Sequence, residues 1–336
     1  MSLVDRPTLA CKPQIQEAPA ASRFAAYPAS WYLLCNSRAL ARRPLSRQML
    51  GRSIAAFRTV SGNPVVMDGR CSHLGADLGR GCVVGDSIEC PFHGWRYGPD
   101  GRCTGIPAMD VIPSFARQST YPTVERHGLL FFFNGGEPLF PLPFFEGARP
   151  DDYMPGRPFR FEANCSWYML AAHGFDTQHF ATVHARRLVG PPLIDCPHPC
   201  ARRNRYTAEV VGDSIFDRLL RPLAGGKVAI SISTWGGTLI LITGTFQRVC
   251  SQFLIATQPL AGEKTLCQVI TFTRRSRNPI ARATLGRLSL AIRRLFTRGY
   301  MVDEIGRLGN PRYNPHSLLP CDADMIDYFC WAGKLA

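Results

Sequence analysis

Residues 71–103 read CSHLGADLGRGCVVGDSIECPFHGWRYGPDGRC and decide the fold of the first part of the chain. The stretch contains two similar glycine-rich loops, and each loop supplies one cysteine and one histidine. The four side chains are Cys71, His73, Cys90 and His93. Short β-type runs separated by glycine, proline and aspartate surround these loops over residues 31–134. This pattern predicts a small all-β domain built around the four side chains.

Two thiolates and two imidazoles at this spacing predict a metal centre. Zinc could bind two cysteines and two histidines, but a single residue between the first two ligands is unusual for zinc sites. A Rieske [2Fe–2S] cluster needs two cysteines on one iron and two histidines on the other. Two facing loops that each supply one cysteine and one histidine meet that need. The pattern C-x-H-x16-C-x2-H therefore favours a Rieske cluster, with structural zinc as the alternative.

The quoted stretch resembles the cluster domain of Rieske-type non-haem iron oxygenases almost throughout. The resemblance implies an α+β protein, in which an all-β Rieske domain precedes a helix-grip-like catalytic domain with an antiparallel sheet. We expect a lead-in over residues 1–26, the Rieske domain over 27–136 and the catalytic domain over 137–336. One departure from the family is Leu74, where many members have arginine after the first histidine ligand.

A second candidate metal motif lies in the predicted catalytic domain, at Asp176, His179 and His184. Two imidazoles and one carboxylate on one face of Fe(II) leave positions open for dioxygen and substrate. Asp176 and His179 share a helix face because they are three residues apart. His184 does not share it, so the helix must bend or end before His184 if both histidines bind one ion. Without a Rieske motif upstream, the same pattern would more often be a helix with solvated or core histidines.

The family's iron motif has the same spacing, and the resemblance implies a role for each position. His179 and His184 bind the mononuclear iron. Asp176 is a bridge, hydrogen-bonded between an iron-ligand histidine and a cluster histidine of a neighbouring subunit. Three residues before Asp176 the family commonly has asparagine, and this chain has His173.

The third iron ligand should be a carboxylate far downstream. Asp303 and Glu304 stand together after a predicted amphipathic helix, and we choose Asp303, with Glu304 as the alternative. Asp322 and Asp324 are weaker candidates. Any of these carboxylates could also be a solvated charge.

The composition limits the partners of the chain. Its net charge of +14 is almost all arginine, but no nucleic-acid motif accompanies that charge, so we expect no nucleic-acid partner. No nucleotide-binding glycine motif is visible, so electrons from NAD(P)H must come through a separate reductase, with or without a ferredoxin. Thirteen cysteines and the absence of a recognisable signal sequence predict a cytoplasmic protein without membrane association.

These features predict an oxygenase component that uses O2 to oxidise a hydrophobic substrate, aromatic or heteroaromatic in our interpretation, and the resemblance implies a homotrimer. The sequence does not choose among hydroxylation, N-oxygenation, demethylation and oxidative cyclisation. Two other classes stay open: a Rieske electron-transfer or redox-sensing protein with a degenerate second domain, and a zinc-stabilised binding module.

Overall fold

The computed structural model describes residues 17–336 except 42, 214–216, 219–220, 223–224, 248 and the side chain of Asp303. These residues form two compact units. The first is Ala29–Leu142, and the second combines residues 17–28 with Pro143–Ala336. The sequence had placed the boundary near residue 136, whereas residues 137–142 belong to the first unit.

The first unit is all β. Its strands are β1 Trp31–Asn36, β2 Leu45–Met49, β3 Arg52–Arg58, β4 Pro64–Asp68, β5 Cys82–Val84, β6 Ser87–Glu89, β7 Arg96–Tyr97, β8 Cys103–Gly105, β9 Thr120–Tyr121, β10 Thr123–Arg126 and β11 Leu129–Phe133. They form three antiparallel sheets, ordered β1-β11-β10, β2-β3-β4-β9 and β5-β6-β7-β8. The connection from β4 to β5 and the turn from β6 to β7 carry the two cysteine–histidine pairs. The predicted all-β organisation is confirmed for this unit.

The second unit is built on a nine-stranded antiparallel sheet. Its strands are β12 Tyr153–Pro155, β13 Phe159–Ala163, β14 Arg186–Leu188, β15 Leu193–His198, β16 Ala201–Val210, β17 Lys227–Trp235, β18 Leu239–Thr245, β19 Cys250–Leu260 and β20 Lys264–Arg274. The main order is β12-β20-β19-β18-β17-β16-β14, with β13 paired to β20 and β15 paired to β16. Strands β19 and β20 form a hairpin, since Leu260 pairs with Lys264 across the turn and Gly262 has a φ of +73°.

The described helices of this unit are α1 Trp167–Ala172, α2 Thr177–Thr182, α3 Pro279–Ala281, α4 Arg287–Leu308 and α5 Ala323–Ala332. A 3₁₀ turn at His173–Phe175 separates α1 from α2. Helix α4 packs on the sheet through Leu290, Thr297 and Met301, which are buried. The mixed helix and sheet content confirms the α+β class.

The segment before the first unit belongs to the second one. Phe24 stacks on Tyr168 of α1, with ring centroids 3.8 Å apart. The indole Nε1 of Trp167 donates to the carbonyl of Ala25 at 3.0 Å. Residues 17–28 therefore pack on α1, while residues 1–16 of the predicted lead-in lie outside the described residues.

Candidate metal centres

The two cluster loops have the same backbone geometry. In each loop the glycine four residues after the cysteine donates to the cysteine carbonyl, Gly75 to Cys71 at 2.9 Å and Gly94 to Cys90 at 3.1 Å. Each cysteine N–H donates in turn to the carbonyl five residues on, at 2.9 and 2.8 Å. Both glycines have positive φ, +72° and +70°, which other residues adopt only with strain. The similarity predicted from the sequence is therefore a repeated backbone turn.

The four candidate ligands divide by burial. The thiols of Cys71 and Cys90 are buried, whereas His73 and His93 are exposed. The two imidazole rings lie 4.8 Å apart between centroids. This division fits a Rieske cluster, in which one iron takes two thiolates and the other takes two imidazoles.

The ionisation of the two cysteine thiols also fits such a cluster. Burial raises the pKa of the Cys71 thiol, and the neighbouring Cys90 raises it further. Two adjacent buried thiolates therefore need positive charge beside them, and iron would supply it.

Neighbouring side chains hold the loops in place. The rings of His73 and Trp95 are nearly parallel, 4.5 Å apart with an interplanar angle of 4°. The hydroxyl of Tyr97 lies 3.1 Å from the sulfur of Cys71 and 3.0 Å from the hydroxyl of Ser72. Burial raises the pKa of Tyr97, so its hydroxyl stays protonated and could donate to a cysteine thiolate.

The second site begins at the N-terminus of α2, where Asp176 is the capping residue. Its Oδ1 accepts from the backbone N–H of Gln178 at 2.9 Å and of His179 at 3.3 Å. The Nδ1 of His179 lies 2.6 Å from the main-chain oxygen of Asp176 and 3.7 Å from its Oδ2. A proton on Nδ1 satisfies that carbonyl and leaves Nε2 as the metal-binding nitrogen.

His184 reaches the same place because α2 ends at Thr182. The next turn includes Ala185 with a φ of +48°, and it brings His184 to 4.9 Å from His179 between ring centroids. The sequence required the helix to end between the two histidines, and it does so.

A carboxylate completes this group, and it belongs to Glu304. Ligand atoms of His179, His184 and Glu304 all lie within 4.8 Å of one another. The sequence had chosen Asp303, whose side chain lies outside the described part of the chain. Both residues are in α4, where adjacent side chains point about 100° apart around the axis. The geometry therefore favours Glu304, the alternative that the sequence left open.

The weaker candidates are not part of this three-residue group. The carboxylate of Asp322 accepts from the side chain of Gln178 and from the backbone of Leu319, both at 2.8 Å. Burial raises the pKa of Asp324.

The site keeps its histidines neutral. Burial lowers the pKa of His184 to about 3 and that of His173 to about 4, and it also lowers the pKa of His179. A neutral imidazole is the form that binds a metal. The two neutral imidazoles supply nitrogen donors and the carboxylate supplies oxygen. This set fits the three ligands of a non-haem Fe(II) site.

The structure adds a residue near the metal group that sequence reasoning missed. Tyr300 of α4 stacks on His184, with centroids 4.5 Å apart and an interplanar angle of 13°. The spacing of four residues between Tyr300 and Glu304 could have indicated this position, because residues i and i+4 of a helix are neighbours.

A cavity of about 990 Å³ adjoins the metal group. One wall is the inner face of the sheet, formed by Ile230, Ile232, Ile240, Ile242, Phe253 and Ile255. The opposite wall is one face of α4, and His173, His179, His184 and Glu304 line one end. A large, mostly apolar cavity with a few polar groups is typical of a small-molecule site.

Comparisons with known proteins agree with the first metal site. Residues 30–116 match the family described as Rieske [2Fe-2S] domain. Aminopyrrolnitrin oxygenase PrnD of Pseudomonas fluorescens is 38% identical over 167 residues, 47% of this chain and 46% of that protein. The oxygenase component of a Rhodococcus rhodochrous 3-ketosteroid-9-alpha-monooxygenase is 36% identical over 131 residues, 39% of this chain and 34% of that protein. Residues 30–116 of this chain therefore form a Rieske [2Fe–2S] domain.

Two solved structures show that the resemblance in fold extends over the whole chain. Pseudomonas putida CBB5 NdmB covers 95% of this chain, which covers 92% of it, with a TM-score of 0.66 and 15% identity. Dicamba monooxygenase bound to dicamba covers 91%, with 96% of that chain covered, a TM-score of 0.62 and 17% identity. The sequence matches are shorter, since the chain spans about half or less of the curated relatives' length. Among the described helices, none is long and apolar enough to cross a membrane.

Proposed function

We propose that this protein is the oxygenase component of a multicomponent Rieske monooxygenase, which oxidises a hydrophobic metabolite with O2 and with electrons from an NAD(P)H-linked reductase. The observation that carries the proposal is the group of His179, His184 and Glu304 at the end of an apolar cavity. A Rieske electron-transfer protein with a degenerate second domain would have no reason to keep such a group. Residues 29–142 would hold the cluster, and the second unit would hold the substrate.

In the proposed site, His179, His184 and Glu304 would hold the mononuclear iron, with Glu304 in place of Asp303. When bound, the cluster would supply single electrons and the iron would supply O2 activation. The apolar walls bind the substrate and exclude water. Asp176 fixes the ring of His179 through its carbonyl, and we propose that its carboxylate also links the two metal sites, as the resemblance implies.

Exposed apolar side chains on the cluster loops and on the segment that follows them support the proposed homotrimer. Leu74, Phe92 and Phe115 are 63–65% exposed and Val111 is 74% exposed. Leu74 and Phe92 are directly next to the ligands His73 and His93. Large exposed apolar side chains that lie together mark docking surfaces. We propose that a neighbouring copy of the chain covers these four side chains. We also propose that a reductase or ferredoxin binds near them, in the cytoplasm.

A single-turnover experiment tests the proposal. The protein is reduced with dithionite, desalted without oxygen and mixed with O2, and the visible absorption of the cluster is followed. Wild type should reoxidise quickly and consume O2, and Glu304→Gln should keep a reducible cluster but reoxidise at least tenfold more slowly. Equal rates in both proteins would favour the electron-transfer alternative.

A further inference from the structure

The cavity follows one face of α4 over most of that helix. Its lining includes residues at a four-residue spacing, Leu288, Ile292, Phe296, Tyr300 and Glu304. At a rise of about 1.5 Å per residue, this row is about 24 Å long. The cavity is therefore elongated, and the metal group lies toward the C-terminal end of the row.

Solvent reaches the other end of the row. The exposed fraction is 66% for Leu285, 58% for Leu288 and 48% for Ile292, whereas Phe296 is half-buried. Exposure is therefore highest at the Leu285 end of the row, whereas Tyr300 is 39% exposed and Glu304 is half-buried. A molecule that enters beside Leu285 would contact apolar side chains along its length before one end reaches the metal group.

Two arginines of α4 line this apolar wall, Arg293 and, at the metal end, Arg307. Arg293 lines the cavity, its Nε donates to the hydroxyl of Ser289 at 3.2 Å, and its Nη1 donates to the carbonyl of Cys250 at 2.5 Å. An arginine has five N–H donors, so these two bonds leave donors for a further acceptor. Another cavity arginine, Arg186, is neutralised by Asp217 at 2.7 Å.

Arg293 has no such partner. No carboxylate of the described residues forms an ion pair with it, and burial lowers the pKa of its guanidinium. A partly buried cation without a counter-charge is unfavourable unless an anion joins it. The planar fork of arginine matches a carboxylate in geometry and charge.

The position of Arg293 fixes the length of such a ligand. Arg293, Thr297, Tyr300 and Glu304 follow one another at steps of four, three and four residues, so they share a helix face. Eleven residues separate Arg293 from Glu304, which is about 16 Å along the axis. A ligand paired with Arg293 must therefore be of that order of length to reach the metal group.

We infer that the substrate of this site is an elongated apolar molecule with one carboxylate, which pairs with Arg293 while the far end of the molecule lies against His179, His184 and Glu304. This inference rests on the proposed function and narrows its substrate class. Single-ring compounds would be too short to occupy both ends at once.

The test measures binding of 11-(dansylamino)undecanoic acid and of its methyl ester to the iron-loaded, oxidised protein by fluorescence. Wild type should bind the acid at least tenfold more tightly than the ester. Arg293→Gln should lower affinity for the acid at least tenfold and leave the ester unchanged, and Arg293→Lys should keep part of the preference. Arg298→Gln is the matched control, because Arg298 is exposed on the same helix outside the cavity lining.

Three results would overturn the inference. The first is equal affinity of wild type for acid and ester. The second is equal effects of Arg293→Gln and Arg298→Gln. The third is displacement of the probe by benzoate as effective as displacement by dodecanoate, which would reject the elongated ligand. The measurement needs no reductant, so a failure of oxygenase turnover would reject the proposed function and leave this result standing. Equal binding of acid and ester in a protein that turns over would reject the inference alone.

Discussion

The rings of Tyr300 and His184 lie nearly parallel, 4.5 Å apart between centroids. Tyr300 is one helical turn before Glu304 in α4, so a single helix supplies both a proposed ligand and the surface against which another ligand packs. Residues that orient metal ligands typically change metal affinity about 10–100-fold when they are removed.

Tyr300→Ala should therefore weaken metal binding at the mononuclear site by about tenfold or more. Tyr300→Phe keeps the ring and should bind almost as wild type does. Titration of Co(II) into protein that lacks the mononuclear iron measures both affinities by the absorption of the bound metal. Equal losses in the two variants would show that the hydroxyl, and not the stacked ring, matters.

Glu304→Ala should lose the mononuclear iron, whereas Asp303→Ala should keep it. Removal of the Glu304 carboxylate takes away a proposed ligand and the charge that balances the ion. Iron analysis of the two purified variants checks this, with cluster absorption as the control for folding. Iron loss confined to Asp303→Ala would restore the sequence-based choice.

Asp176→Asn should keep the cluster spectrum and most of the iron but lower product formation by orders of magnitude. Asparagine is as good an N-cap as aspartate, and the main-chain carbonyl still holds Nδ1 of His179, so α2 should survive. What is lost is the carboxylate charge and an acceptor. Cluster reduction and O2-dependent reoxidation are measured separately in stopped flow.

A mixing experiment tests whether the bridge acts between chains. Asp176→Asn chains combined with His93→Ala chains should recover partial activity if a cluster serves the iron of a neighbouring copy. Full activity of Asp176→Asn alone would reject the bridging role, and an active monomer would reject the path between subunits.

Acid should destabilise the protein that lacks mononuclear iron, in part through His173. Burial lowers its pKa to about 4, compared with about 6.5 in an unfolded chain. The unfolded chain therefore binds more protons between these pH values, so stability is complete above about pH 6.5 and is lost as the pH falls toward 4. At pH 5 the loss is about 2 kcal/mol.

His173→Asn introduces the residue that the family commonly has, and it should reduce that loss. Urea unfolding at pH 7.5 and pH 5 measures it, and the difference between the two pH values is compared for both proteins. An identical pH dependence in wild type and variant would show that His173 is not buried in its neutral form.

Local patterns were predictable and long-range register was not. Cys71, His73, Cys90 and His93 stand in two short loops, so their spacing alone indicated the cluster. The choice between Asp303 and Glu304 depends on the rotation of α4 about its axis, which packing against the sheet sets and which no local spacing encodes.

The substrate cavity also could not be predicted from the sequence. The position of Arg293 in the cavity wall depends on the same helix packing. Four isoleucines of the sheet wall come from β17 and β18, and the register of these strands fixes which face of the sheet their side chains line. Helix α5 was missed because it spans only ten residues, Ala323–Ala332, which is less than three turns.

Iron content per chain tests the central claim most directly, because the account assigns two ligand sets to one polypeptide. Purified wild type should be brown and contain about three irons, two in the cluster and one mononuclear. Glu304→Ala should contain about two with the cluster spectrum unchanged, and His93→Ala should lose the visible absorption. A colourless wild type with one zinc and no iron would contradict the account.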